Sequence, residues 1–270
     1  GNSAMDIASE LSQRPIAKQL FVSARRGVWI FPKYYRGQPL DKNPAPAWMP
    51  KWLRQKIGEK IVKSLVGRMS DYGLPEPEIG PFESHGTVSG EFLLRAGSGD
   101  IRMKPGIDRL DGDGVVFTDG SRERIDAIIW ATGYDIKFPF FDDPAFLADA
   151  DNRPPPLFKR IMKPGVPDLF YMGLAQPLPT LVNFAEQQSK LVAAYLAGRY
   201  APPTEAEMHR IIAADEDYYT GQYYAARRHT IQLDFDHYCR ALNKELARGA
   251  RRAAARGNIL PVLAQEPVEA

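Results

Sequence analysis

Apolar and polar positions follow two rhythms along this chain, and each change of rhythm marks an element. Ala4, Ile7, Ala8 and Leu11 recur at helical spacing and predict a first helix, which Pro15 is expected to end. Leu20-Phe21-Val22 reads as a short strand. Residues 32–50 hold Pro32, Pro39, Pro44, Pro46 and Pro50 and read as an irregular excursion. Leu53, Ile57, Ile61 and Leu65, with Lys51, Arg54, Lys56, Lys60 and Lys63 between them, predict a basic amphipathic helix. Its narrow apolar stripe is expected to face the core and its charges water, in preference to a membrane-surface role. Residues 74–81 read as a proline loop. From residue 101 to 130 the rhythm is that of a β-meander, with Asp113-Gly114 and Asp119-Gly120 as turn dipeptides around the strand Val115-Val116-Phe117. Residues 126–130 are mostly apolar and predict a buried strand of a parallel sheet, and residues 169–174 predict a second. Phe184, Gln188, Leu191, Val192, Tyr195 and Leu196 share one side of a further helix, with Gly198 as its C-terminal cap. Residues 204–219, opened by a Thr204/Glu207 capping box, and 237–256 predict two more helices.

Composition narrows the classes. The 270 residues, 44% hydrophobic and 25% charged, suit a globular chain of one large or two modest domains. A net charge of +2 disfavours a nucleic-acid binder. The single cysteine, Cys239, excludes an intramolecular disulfide and a Cys-x-x-Cys pair, and fits a reducing, cytoplasmic setting. No apolar run approaches the roughly 20 residues of a membrane span. No signal peptide is read. The chain opens on Gly1 inside a motif, so it is expected to be the C-terminal part of a longer protein.

Two stretches carry candidate chemistry. Gly1-Asn2-Ser3-Ala4 reads as the back half of G-x-G-x-x-G/A, the turn that brings backbone amides to a pyrophosphate. Arg25 stands 21 positions after Ala4, where an acid would select NAD and an arginine suits the 2′-phosphate of NADP. Ser23 stands close enough in sequence to add a hydrogen bond. The second stretch is Ala131-Thr132-Gly133-Tyr134, where small residues after the apolar run let backbone approach a flat or anionic ligand. The aromatic cluster Phe138, Phe140 and Phe141 follows it. His85 is read as structural, and His209, His229 and His237 show no metal-ligand spacing. Tyr218, Tyr219, Tyr223 and Tyr224 suit either a substrate channel or internal packing.

These motifs in this order resemble the flavin-containing monooxygenases and their Baeyer–Villiger relatives. The likeness rests on G-N-S-A-x-D-I-A-x-E-L at residues 1–11, then Ser23-x-Arg25, V-x-F-x-D-G at 115–120, D-x-I-I-x-A-T-G-Y at 126–134 and the G-L-A-Q-P unit ending in Gln176-Pro177. The resemblance implies an α/β, two-dinucleotide-binding-domain flavoprotein, N-terminally truncated, with a β-meander and C-terminal helices. It implies an NADP-binding domain over residues 1–130, lacking its first strand, and the C-terminal part of an FAD-binding domain plus a helical tail over 131–270. FAD and NADP are then the cofactors. Gly1, Asn2, Ser3, Ala4, Ser23, Arg25, Ala131, Thr132, Gly133 and Gln176 are the cofactor-binding candidates, with no metal and no catalytic residue assigned. The implied reaction uses NADPH and O2 to oxygenate a soft nitrogen or sulfur nucleophile, of the dimethylaniline type, or a ketone, through a flavin C4a-hydroperoxide. The FAD-pyrophosphate glycines and the active-site asparagine would precede Gly1, so the chain alone is expected to be inactive. A small-molecule substrate and O2 are the implied partners, and an oligomer is compatible with the sequence. Two alternatives stay open: a pyridine-nucleotide-dependent flavin reductase of the disulfide class, and a non-catalytic remnant.

Overall fold

A computed structural model describes residues 1–13, 16–39, 49–78, 80–81, 86–178, 181–220 and 230–261. Pro15, Pro44, Pro46, His85, Tyr223, Tyr224 and His229 lie outside them. The chain divides into two units, Gly1–Gly133 and Tyr134–Ala270.

In the first unit, helix α1 (Asn2–Leu11) buries Met5, Ala8 and Ser9. Its core-facing side is thus shifted from the expected one, and Ile7 is exposed. Short strands follow: β1 (Phe21–Ser23), β2 (Ile30–Phe31), β3 (Tyr34–Tyr35) and β4 (Gln38–Pro39). The β3–β4 pair puts an antiparallel hairpin inside the expected irregular excursion. Helix α2 (Lys51–Val66) comes next, then β5 (Thr87–Val88), α3 (Phe92–Gly97) and β6 (Arg102–Lys104). Strand β1 pairs in parallel with β6, and β2 in parallel with β5. Met5, Ala8, Trp29, Ile30, Val62, Val66 and Phe92 pack between these helices and strands as one core. Against expectation, α2 reaches that core through Val62 and Val66 and not through the Leu53, Ile57, Ile61, Leu65 stripe.

The meander forms as β7 (Ile107–Asp111), β8 (Gly114–Phe117) and β9 (Arg122–Arg124), antiparallel throughout. The first turn is Gly112-Asp113, one residue earlier than Asp113-Gly114, because Asp111 pairs with Gly114. Gly112 takes φ +61°, as a two-residue hairpin with glycine leading requires. The second turn uses Asp119 and Gly120 as expected; the Gly120 N–H donates to the Phe117 carbonyl.

Residues 126–130 form no strand. Ile128, Ile129 and Trp130 are 38%, 59% and 64% exposed. The last ladder bond runs from the Ile125 N–H to the Asp113 carbonyl. A parallel strand needs neighbours on its edges and layers on both faces. Among the described residues no strand lies beside this segment, so its apolar sequence has nothing to pair with.

The second unit is mainly helical. Strand β10 (Gln176–Leu178) pairs in parallel with β11 (Gln232–Asp234). Helices α4 (Leu181–Leu196), α5 (Glu205–Thr220) and α6 (Phe235–Ala255) pack around Phe158, Phe184, Leu191, Ile212 and Leu242. The buried strand expected over 169–174 is absent. Phe170 makes only an isolated bridge to Met162, and Gly173 turns the chain with φ +73° before β10 starts at Gln176. After α4, the Arg199 N–H reaches the Ala194 carbonyl and the Gly198 N–H the Tyr195 carbonyl, the expected glycine C-cap. Leu196, placed by sequence on the packed side, is exposed. The Thr204 hydroxyl accepts from the Glu207 N–H at 3.3 Å, as a capping residue does.

Candidate nucleotide and flavin sites

In the first unit the candidate residues gather where α1 begins and β1 ends. Gly1 is the N-cap residue of α1 and nothing stands within 4 Å of where its side chain would point. Gly1, Asn2 and Ser3 are exposed and Ala4 half-buried. Asn2 and Ser3 thus stand exposed at the positive end of the helix dipole. Asn2 does not extend outward: its Oδ1 accepts from the Val88 N–H at 2.9 Å and ties the helix start to β5. That anchor was not legible in the sequence, since Val88 lies 86 positions away.

Arg25 follows β1 and is exposed. Its stem lies over Gly106, where a Cβ would stand 3.1 Å from Arg25 Cγ. No carboxylate among the described residues pairs with it. Its stem thus packs on Gly106, and among the described residues no ion pair engages the guanidinium. Ser23 donates its hydroxyl proton to the Pro105 carbonyl at 2.6 Å, so it must rotate before it can donate to a phosphate.

Ala131, Thr132 and Gly133 close this unit. Thr132 and Gly133 are exposed, and Gly133 holds φ +109° with open space on its side-chain side. That dihedral belongs to glycine alone among ordinary residues.

In the second unit Gln176 sits at the start of β10. Its Oε1 is buried and accepts no hydrogen bond from any described group. A buried acceptor left unpaired is costly. Here it stands three residues past the Gly173 turn and five before the first residue of α4. Leu181 and Val182, in the first turn of α4, are exposed at 48% and 77%. A buried acceptor without a described partner fits a ligand edge that donates a hydrogen bond.

Gln188 is a supporting residue the sequence reading placed only on the packed face of α4. It is fully buried; its Oε1 accepts from the Gly173 N–H at 2.8 Å and its Nε2 donates to the Arg160 carbonyl at 2.9 Å. The signal for it was a glutamine inside an otherwise apolar stripe. Phe138, Phe140 and Phe141 gather as expected against Tyr171, with Phe138 and Tyr171 edge-to-face at 5.4 Å. With Met172 and Gly173 they line an open apolar cavity of about 260 Å³.

Other titratable groups of this unit serve packing. Burial, with Asp168 alongside, pushes the Tyr195 hydroxyl up to about 12, and that hydroxyl donates to Asp168 at 3.2 Å. Burial pushes the His237 imidazole down, and its ring stacks on Tyr218 at 3.8 Å. Tyr218 and Tyr219 thus appear in internal contacts. Burial, then Asp236, raises the Cys239 thiol, the opposite of what a redox nucleophile needs.

The fold is a mixed one of helices and short strands. The comparison with known proteins is specific: the family described as FMO-like, flavin-binding monooxygenase-like, matches residues 1–267, and the chain belongs to that family. It is 32% identical over 246 residues to flavin-containing monooxygenase 5 of Oryctolagus cuniculus, covering 87% of this chain and 45% of that protein. It is 27% identical over 268 residues to the 4-hydroxybenzoate brominase (decarboxylating) of Pseudoalteromonas luteoviolacea, covering 90% and 49%. Among solved structures, the S-allyl-L-cysteine S-oxygenase of Allium sativum is 29% identical, with a TM-score of 0.44 over 54% of this chain and 34% of that one. The chain spans about half the length of the curated relatives it matches. Among the described residues no helix is long and apolar enough to cross a membrane.

Proposed function

We propose that this chain supplies the NADPH-recognition elements and the closing flavin-side strand–helix unit of an FAD-dependent monooxygenase. In this reading residues 1–130 belong to the NADP-binding domain and 131–270 to the FAD-binding domain and its helical tail. The α1 amides at Gly1, Asn2, Ser3 and Ala4 receive the NADP pyrophosphate, and Arg25, with Ser23 rotated toward it, receives the 2′-phosphate. Gln176 and the first turn of α4 hold the edge of the FAD ring, and the backbone at Ala131-Thr132-Gly133 is a further place where a cofactor is approached. FAD, once reduced by NADPH, would supply the activation of O2 and the transfer of one oxygen atom to a nitrogen or sulfur nucleophile or a ketone. The Phe138–Tyr171 cavity would exclude water and seat the apolar part of a small substrate.

The observation that carries this reading is Arg25: exposed, steadied on Gly106 and paired with no described carboxylate, 21 positions past Ala4. Calorimetric titration with NADPH and with NADH tests it. Arg25→Ala should weaken NADPH binding by about 1.5–3 kcal/mol, the scale of a charge-assisted hydrogen bond, and leave NADH nearly unchanged. Equal losses for the two nucleotides, or no NADPH binding by the parent chain, would remove the assignment. The disulfide-reductase alternative gains nothing from Cys239, whose thiol is raised by burial.

A further inference from the structure

The chain holds seven methionines, all among the described residues, and one of them is exposed. Met5, Met69, Met162 and Met208 are at most 7% exposed and sit in the two cores. Met49 and Met103 are half-buried. Met172 is 43% exposed and lines the open cavity of about 260 Å³ with Phe138, Phe140, Phe141, Phe170 and Tyr171. The backbone holds it there from both sides. The Tyr171 N–H donates to the Ile161 carbonyl at 2.8 Å, and the Gly173 N–H donates to Gln188 Oε1 at 2.8 Å. Tyr171 is buried and donates its hydroxyl proton to the Phe146 carbonyl at 3.3 Å. The chain cannot turn to withdraw Met172 without breaking these bonds. A flexible thioether is thus kept at the wall of an aromatic cavity and within reach of solvent.

We propose that Met172 is an oxidation switch of this cavity: hydrogen peroxide converts its thioether to the sulfoxide, and the cavity then stops accepting apolar ligands. A lone pair of the sulfur attacks one peroxide oxygen. An S–O bond forms, the O–O bond breaks and, with the shift of a proton, the second oxygen leaves as water. The sulfur gives up two electrons and the peroxide takes them. The product carries a strong S=O dipole in place of an apolar sulfur. The cavity offers that dipole little in return. Its wall is largely aromatic, and the N–H groups of Tyr171 and Gly173 are already taken. Solvating the dipole therefore draws water into the space that an apolar ligand needs dry. Cys239 does not compete as the first target, because burial raises its thiol and keeps it from the reactive thiolate. The chemistry at sulfur is independent of the cofactor assignments, while its consequence rests on the reading of this cavity as the substrate seat.

Peptide mass analysis and dye binding on the purified chain test it. In dilute hydrogen peroxide the peptide holding Met172 should gain one oxygen roughly tenfold faster than any other methionine peptide. Affinity for the neutral dye phenylnaphthylamine should fall about tenfold in step with that oxidation, and methionine sulfoxide reductase should restore it. In Met172→Leu the affinity, whatever its starting value, should not respond to peroxide. Met172→Gln, polar without oxidation, should bind the dye as weakly as the oxidised chain. The melting temperature should stay with that of the untreated chain, since the side chain is exposed. Oxidation of another methionine at the same rate, or a peroxide response that persists in Met172→Leu, overturns the proposal. So does a loss of dye that follows a fallen melting temperature, which would be unfolding. A chain that takes up no dye before oxidation removes the substrate seat and the switch with it, whereas dye binding that ignores the sulfoxide removes the switch alone.

Discussion

Strand β8 and the segment at residues 126–130 are similar as sequences and opposite as structures. Val115-Val116-Phe117 and Ile128-Ile129-Trp130 are both apolar, β-prone triplets, separated by ten residues of a single meander. The first triplet is buried at 3%, 7% and 3%, while the second lies in the open. The difference is the range over which partners are found. β8 has β7 and β9 on its two sides, brought there by turns written into Gly112-Asp113 and Asp119-Gly120. Residues 126–130 follow the last ladder bond, and whatever would pair with them has to come from far along a chain. Apolar pattern states that a segment should be buried; it does not supply the neighbour that buries it.

Hydrogen exchange should separate the two triplets most widely. Amides of Val115 and Val116 are expected to exchange orders of magnitude more slowly than those of Ile128, Ile129 and Trp130, because the former open only with the meander. Equal protection would mean that residues 126–130 find a partner in solution and would erase the contrast. Next comes side-chain deletion. Phe117→Ala should cost about 3–5 kcal/mol by denaturant melting, whereas Ile129→Ala, at an exposed site, should stay within about 0.5 kcal/mol. A third test uses the turns. Gly120→Val and Gly133→Val both put a branched side chain at a positive φ. Gly120→Val should destabilise the meander by about 1–3 kcal/mol, since paired strands hold that dihedral. Gly133→Val should cost less, because the open segment can relax. A flavin-loaded full-length relative carrying the matching change would show instead whether cofactor contact, not folding, is what the glycine serves.

The smallest effect is a pH dependence confined to β8. The Ser121 N–H donates to Asp119 Oδ1 at 2.9 Å, and the Ser121 contact holds this carboxyl below its ordinary range. A carboxyl depressed in the folded chain binds fewer protons there than in the unfolded chain. Its contribution is therefore present above the ordinary aspartate range and is lost as pH falls through the folded value. Relative to the intrinsic exchange rate at each pH, protection at Val116 and Phe117 should fall slightly on acidification, that of residues 126–130 should not change, and Asp119→Asn should flatten the response.

Much of the architecture follows from neighbours in sequence. The first helix after G-N-S-A, the basic helix, the Val115–Phe117 strand, the glycine-capped α4 and the Thr204 cap could be read because a helix or tight turn draws its partners from within a few residues. The ordered motifs also identified the flavin-binding monooxygenase-like family. What the sequence could not decide is which face of α1 or α2 meets the core. Met5 and Ser9 were chosen over Ile7, and Val62 and Val66 over the longer leucine and isoleucine row. The Asn2 bond to Val88, the bonds of Gln188 to Gly173 and Arg160, and the unpaired oxygen of Gln176 were equally hidden. Each depends on groups brought together across long stretches of chain. Periodicity records that a residue is apolar and how often it recurs, but burial and hydrogen bonding depend on which other element arrives, and only the tertiary structure decides that.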